Sequence, residues 1–138
     1  MKLPLLALLL GTMASQVRAQ STEFVFRNDF RPAFEKTITA AELNAIAGNT
    51  DTVIIDVRLE EDFAKDPALI TGARRLNPEA LPNWLTTIDK NKDVVVYCVA
   101  GRWVSQKVAY LLDESGVRVR SLEGGIEAWK LHTTNAHQ

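Results

Sequence analysis

Apolar positions along the chain fall into short blocks whose period changes from one block to the next. Thr52-Val53-Ile54-Ile55-Asp56-Val57 and Val94-Val95-Val96-Tyr97 are runs of β-favouring residues, which predicts strands buried on both faces of a parallel sheet. After Gly101 the spacing becomes helical, because Val104, Val108, Leu111 and Leu112 share one face of a helix that should stop at Gly116. Thr39-x-x-Glu42 is a capping box, followed on one face by Leu43 and Ile46, and it predicts a helix of about ten residues ending at Gly48-Asn49. Arg74-Arg75-Leu76-Asn77 reads as a short strand, Pro78 as the start of a helix through Leu81, Trp84 and Leu85, and Val117-Arg118-Val119-Arg120 as the last strand. Gly124-Gly125 should make a close turn into a short final helix with Ile126 and Trp129 facing inward. Strands alternating with helices predict an α/β fold: a central, mainly parallel sheet with helices on both faces.

The two ends break this pattern. Lys2 precedes an apolar run from Leu3 to Leu10 that continues through Met13-Ala14, and Val17-Arg18-Ala19 places small residues where a signal peptidase reads. The run is shorter than the roughly 20 residues a bilayer-spanning helix needs. Residues 1–19 are therefore expected to be a cleaved signal peptide, with no stable membrane anchor and a periplasmic or secreted product. Residues 20–36 carry four of the five phenylalanines, Phe24, Phe26, Phe30 and Phe34. They are expected to fold back as an arm or short strand, packing on the domain or offering a partner surface. The domain itself is placed at 37–131, and 132–138 is left as a tail.

Composition adds little: hydrophobic content of 46% with 24% charged residues is ordinary for one globular domain. Charge excludes more. Cleavage after Ala19 would remove Lys2 and Arg18 and no acid, so Lys+Arg falls from 16 to 14 against 17 acidic residues. That mildly acidic balance argues against nucleic acid as a partner. The only cysteine is Cys98, at the carboxyl end of the 94–97 strand in a tight loop before a helix N-terminus. Ligands of open α/β sheets bind there, since unpaired amides and the helix dipole attract negative charge. The loop amides and Arg102 should favour a thiolate at Cys98.

Other chemistries lack their residues. His132 and His137 lie near the C-terminus, where neither can serve as the base of a Cys-His pair, and they have no companion ligands for a metal. A cysteine phosphatase of the Cys-x5-Arg kind would need arginine where Val104 stands, and no Cys-x-x-Cys exists for dithiol exchange. A reaction that needs a thiolate and no base remains, with neither metal nor cofactor.

Cys98-x-x-Gly101 between strand and helix, Leu122-Glu123-Gly124-Gly125-Ile126-Glu127-Ala128-Trp129 near the end and Ile54-Ile55-Asp56-Val57-Arg58 near the start together resemble a rhodanese domain, from about Thr37 to Lys130. The resemblance implies a rhodanese-like fold and a sulfurtransferase that moves sulfane sulfur through a Cys98 persulfide. The donor would be a small anion such as thiosulfate and the acceptor a thiol or cyanide, with a protein sulfur acceptor as a further possibility. Val99, Ala100, Gly101, Arg102 and Trp103 would form the substrate-binding loop, with Arg58 as a further candidate and a surface pair to Glu60 or Glu61 as its plainer role. Asp56 reads as structural. Leu69 and Thr71 replace the histidine and proline usual in the family, which implies a local packing change. Val99 and Trp103 leave Arg102 as the sole cation in the loop, so the natural donor need not be thiosulfate. The alternative is a non-catalytic rhodanese-like binding, sulfur-carrier or thiol-sensing module.

Overall fold

The computed structural model describes residues 2–4, 11 and 23–137. The 1–19 signal-peptide expectation therefore falls almost entirely outside the described residues. From the arm onward the elements are β1 (Thr37–Ile38), α1 (Ala40–Ile46), β2 (Thr52–Asp56), α2 (Glu60–Lys65), β3 (Arg74–Arg75), α3 (Leu81–Trp84), β4 (Asp93–Tyr97), α4 (Trp103–Glu114), β5 (Arg118–Leu122) and α5 (Gly125–Asn135). The five strands form one sheet in the order β1-β5-β4-β2-β3, and every pairing is parallel.

Alternation along β4 sorts the core into two layers, because successive side chains of a strand point to opposite faces. Val94, Val96 and Cys98 face one layer, with Val104, Val108 and Leu112 of α4, Leu81 and Trp84 of α3, and Phe26 and Phe34 of the arm. Val95 and Tyr97 face the other, with Leu43 of α1 and Ile126 of α5. Cys98 thus continues the α4-facing row of the central strand.

Three sequence expectations meet local corrections, and one helix was not foreseen. The helix expected from Pro78 is broken into a 3₁₀ turn at Pro78–Ala80, the four-residue α3 and a second 3₁₀ turn at Leu85–Thr87. Pro82 is the local reason, since proline has no N–H to donate to the ladder. The last helix runs to Asn135 and absorbs His132, past the end placed at residue 131; no glycine or proline stops it there. Trp129 is only partly buried against its cluster, whereas Ile126 is 4% exposed. Helix α2 had no apolar period to reveal it, and none of its residues is buried.

Charged side chains close the sheet's carboxyl end. Asp56 and Arg58 form a buried pair, 2% and 0% exposed at the arginine and the acid, with Nη2 2.6 Å from Oδ2. Arg58 also donates to the carbonyls of Asp66 and Ala68. The Tyr97 hydroxyl accepts from the Ile70 amide, and burial pushes that phenol above its ordinary value. The segment that lacks the family's histidine and proline is therefore pinned by Arg58 and Tyr97 reaching up from the sheet. Lys130 of α5 pairs with Asp66 and holds its carboxyl below the usual range.

Candidate active site

Cys98 is the first residue beyond β4 and is 5% exposed. The loop after it is shaped by three glycines from two distant parts of the chain. Gly101 has φ +70°, and a Cβ there would lie 2.8 Å from the Leu122 carbonyl and the Gly124 amide. Gly125 has φ +60°, and its Cβ would lie 2.5 Å from the carbonyl oxygens of both Cys98 and Val99. Gly124, at φ +71°, completes the turn. Left-handed backbone with that little room admits only glycine. The contact brings the start of α5 onto the loop, where the Ile126 and Glu127 amides donate to the Cys98 and Val99 carbonyls at 3.0 and 3.2 Å. The Gly124-Gly125 pair is a backbone seat for the cysteine loop.

Two of the loop's carbonyls are tied back in this way, and its backbone donors are left without protein partners: among the described residues, none of the backbone amides from Val99 to Val104 donates to a backbone acceptor. Arg102 sits at the N-cap position of α4 without a side-chain cap bond. Unsatisfied amides at a helix N-terminus are the usual cradle for an anion.

A cavity of about 240 Å³ opens over the sulfur, lined by Leu59, Asp62, Val99, Ala100, Arg102, Trp103 and Val104 beside Cys98. Its walls are mostly apolar, with Arg102 and Asp62 as opposing charges. Beneath the sulfur lies a polar chain that the sequence reading missed. Cys98 Sγ is 3.1 Å from Ser105 Oγ, and the Ser121 hydroxyl of β5 donates to Ser105 Oγ at 3.2 Å. Both serines are fully buried, at 0% and 2% exposure. A hydroxyl can rotate to donate to a thiolate, so this pair supplies a hydrogen bond from the protein side. The sequence signal was a serine placed next to Val104 and near Val108 on the apolar face of α4.

Residues 39–132 match the family described as "Rhodanese-like domain". The chain belongs to the rhodanese-like family. Among its relatives, a sulfurtransferase of Allochromatium vinosum is 34% identical over 87 residues, 63% of this chain and 79% of that protein. A protein of Coxiella burnetii named thiosulfate sulfurtransferase GlpE is 38% identical over 98 residues, covering 70% and 89% respectively. A crystal structure of a rhodanese-like domain protein from Staphylococcus aureus superposes with a TM-score of 0.61 at 30% identity, covering 69% of this chain and 91% of that one.

In this rhodanese-like domain Cys98, Val99, Ala100, Arg102 and Trp103 come together around one cavity, while Gly101 forms the turn beneath it. Arg58 is not brought to that cavity. Its guanidinium is taken up by Asp56 and the two carbonyls, and it borders an adjoining cavity of about 280 Å³, with Lys65, Asp66, Glu127 and Lys130, that shares the walls Asp62 and Val99 with the Cys98 cavity. It makes no surface pair with Glu60 or Glu61, whose partners are Arg75 and Arg27. Leu59, Asp62, Val104, Ser105 and Ser121 are the site residues added by the structure.

Proposed function

We propose that this protein transfers sulfane sulfur through a persulfide on Cys98, taking it from a small anionic donor such as thiosulfate and passing it to a thiol or to cyanide. The Cys98 thiolate attacks the outer sulfur of thiosulfate, a new S–S bond forms, the old one breaks, and sulfite leaves with the bonding electron pair. An acceptor nucleophile then attacks the outer sulfur of the persulfide and regenerates the thiolate. The reading is carried by one observation: the only cysteine opens a loop whose backbone amides, from Val99 to Val104, donate to no backbone acceptor among the described residues, which suits both the thiolate and the anionic persulfide. Val99 to Trp103 bind the donor, with Arg102 offering paired N–H bonds to an oxyanion.

Assay of the protein with thiosulfate and cyanide, beside Cys98→Ser, tests this. Thiocyanate formation that disappears in Cys98→Ser is the expected result. No turnover and no gain of one sulfur in the mass of the protein would overturn it. Gain of sulfur without turnover would instead assign the carrier or thiol-sensing reading. We also propose export to the periplasm or medium, on the strength of Lys2, the apolar run and Ala19. Sequencing of the mature N-terminus should then begin at Gln20.

A further inference from the structure

The arm precedes the matched residues 39–132, yet it reaches the reactive loop. Phe26 is 2% exposed, and its ring stacks on Trp103 with 5.6 Å between centroids. The Arg31 guanidinium carbon lies 3.8 Å from the centroid of the same indole. Trp103 in turn is a wall of the Cys98 cavity.

The arm is fastened along its length by contacts with three other parts of the domain. Arg27 bonds Glu61 of α2 and Glu79 of the 3₁₀ turn, and that contact holds Glu61 down to about 2. This bridge is complete above the ordinary glutamate range and is lost only as the pH falls through about 2. The ammonium of Lys107, itself buried in α4, donates to the Phe26 carbonyl and to Asn28 Oδ1, each at 2.6 Å. Lys36 pairs with Asp113 at the other end of α4. A buried ammonium satisfied by two acceptors of one short segment ties that segment's path to the helix carrying Trp103.

We infer that the arm sets substrate size: Arg31 and Phe26 are positioning residues that hold Trp103 across the Cys98 cavity and restrict the thiol to compact sulfur donors. At about 240 Å³ the cavity is below the roughly 300–1,000 Å³ range of sites for drug-sized molecules. A donor carrying sulfur on a bulky organic group would have to swing the indole aside. The inference rests on Cys98 being the reacting thiol, as proposed above.

Alkylation of Cys98 with two neutral maleimides of different size, N-ethylmaleimide and N-pyrenylmaleimide, reads the gate without requiring sulfur transfer. A cation–π contact at an exposed site biases an equilibrium about two- to fivefold. Arg31→Ala should therefore raise the pyrenyl-to-ethyl rate ratio about threefold, where general loosening of the fold would raise both rates together. Trp103→Ala should raise the ratio further, and Arg31→Ala added to it should have no additional effect, because Arg31 acts through Trp103. Arg118→Ala, at the far end of the sheet, serves as the control. An Arg31→Ala ratio equal to wild type, or effects of Arg31→Ala and Trp103→Ala that simply multiply, would overturn the clamp. A protein that transfers no sulfur but still shows the ratio change would overturn the reaction and leave the clamp standing. Turnover with an unchanged ratio would do the reverse.

Discussion

The two ends of the sheet build their cavities from different parts of the chain. At the amino ends of β4 and β5 a groove of about 430 Å³ is lined by Lys36, Asp93, Asp113, Arg118 and Arg120, and is larger than the Cys98 cavity. Side-chain ion pairs bridge it, Lys36 to Asp113 at 2.8 Å and Arg118 to Asp93 at 3.3 Å, with five- to six-tenths of each side chain exposed in the second pair. Such pairs contribute little and place no group under strain. At the carboxyl ends the cavity is smaller, but backbone shapes it: glycines lock the loop, the first residues of α4 line the cavity, and the first amides of α5 hold the loop's carbonyls. Strand direction explains the difference. In a parallel sheet the following helices start where the strands end, so free amides gather there, while the opposite end collects helix carbonyls.

Substitutions at each end break or sharpen this contrast. The largest effect is expected from Gly125→Ala, which forces a Cβ to 2.5 Å from two carbonyl oxygens at φ +60°. Strain of that kind costs on the order of 1–3 kcal/mol, and relief of it must move the cysteine loop. Chemical denaturation should show the loss together with turnover reduced at least tenfold; native stability with full turnover would mean that the loop is not seated on α5.

Arg102→Ala should come next. Loss of hydrogen bonds to a charged partner costs roughly 1.5–3 kcal/mol, and because Arg102 is exposed the lower figure applies, about tenfold in kcat/KM for thiosulfate. Kinetics at two salt concentrations check the cause, since wild type should be salt-sensitive and the mutant much less so. Equal kcat/KM in both proteins would remove Arg102 from donor binding.

Ser105→Ala tests the hydroxyl beneath the sulfur. Removing a hydrogen bond to the sulfur that carries the attack costs about 1.5 kcal/mol at most, so iodoacetamide alkylation at neutral pH should slow by a few-fold. An unchanged rate would make Ser105 a packing residue. The smallest effect belongs to the opposite end: Asp113→Asn, which weakens the Lys36 pair, should change turnover by less than twofold. A larger loss would show that the charged groove communicates with Cys98.

Much of the cysteine end was legible because it is local. A strand that stops at Cys98, glycine at 101 and helical spacing from Val104 are properties of consecutive residues, and so is the Leu122–Trp129 box. Even there the meaning of the glycines was only half visible. They read as a turn, whereas the contact of Gly125 with the Cys98 and Val99 carbonyls joins segments far apart in the chain. The helix from Pro78 was misread because apolar spacing outweighed Pro82, and α2 was missed because no buried face marks it.

What the amino-acid sequence by itself determined is the alternation of strands and helices and the placement of one thiol at a strand's carboxyl end, since backbone propensity and period act over a few residues. Only the tertiary structure decided which polar groups meet that thiol. Arg58, adjacent in sequence to a strand end, turned to Asp56 and the 66–68 carbonyls. Ser105 and Ser121, sixteen positions apart, met beneath the sulfur. The arm found Trp103 and Lys107 across nearly the whole domain. These partners are chosen by packing and by the cost of leaving buried polar groups unpaired, and neither leaves a periodic trace along the chain.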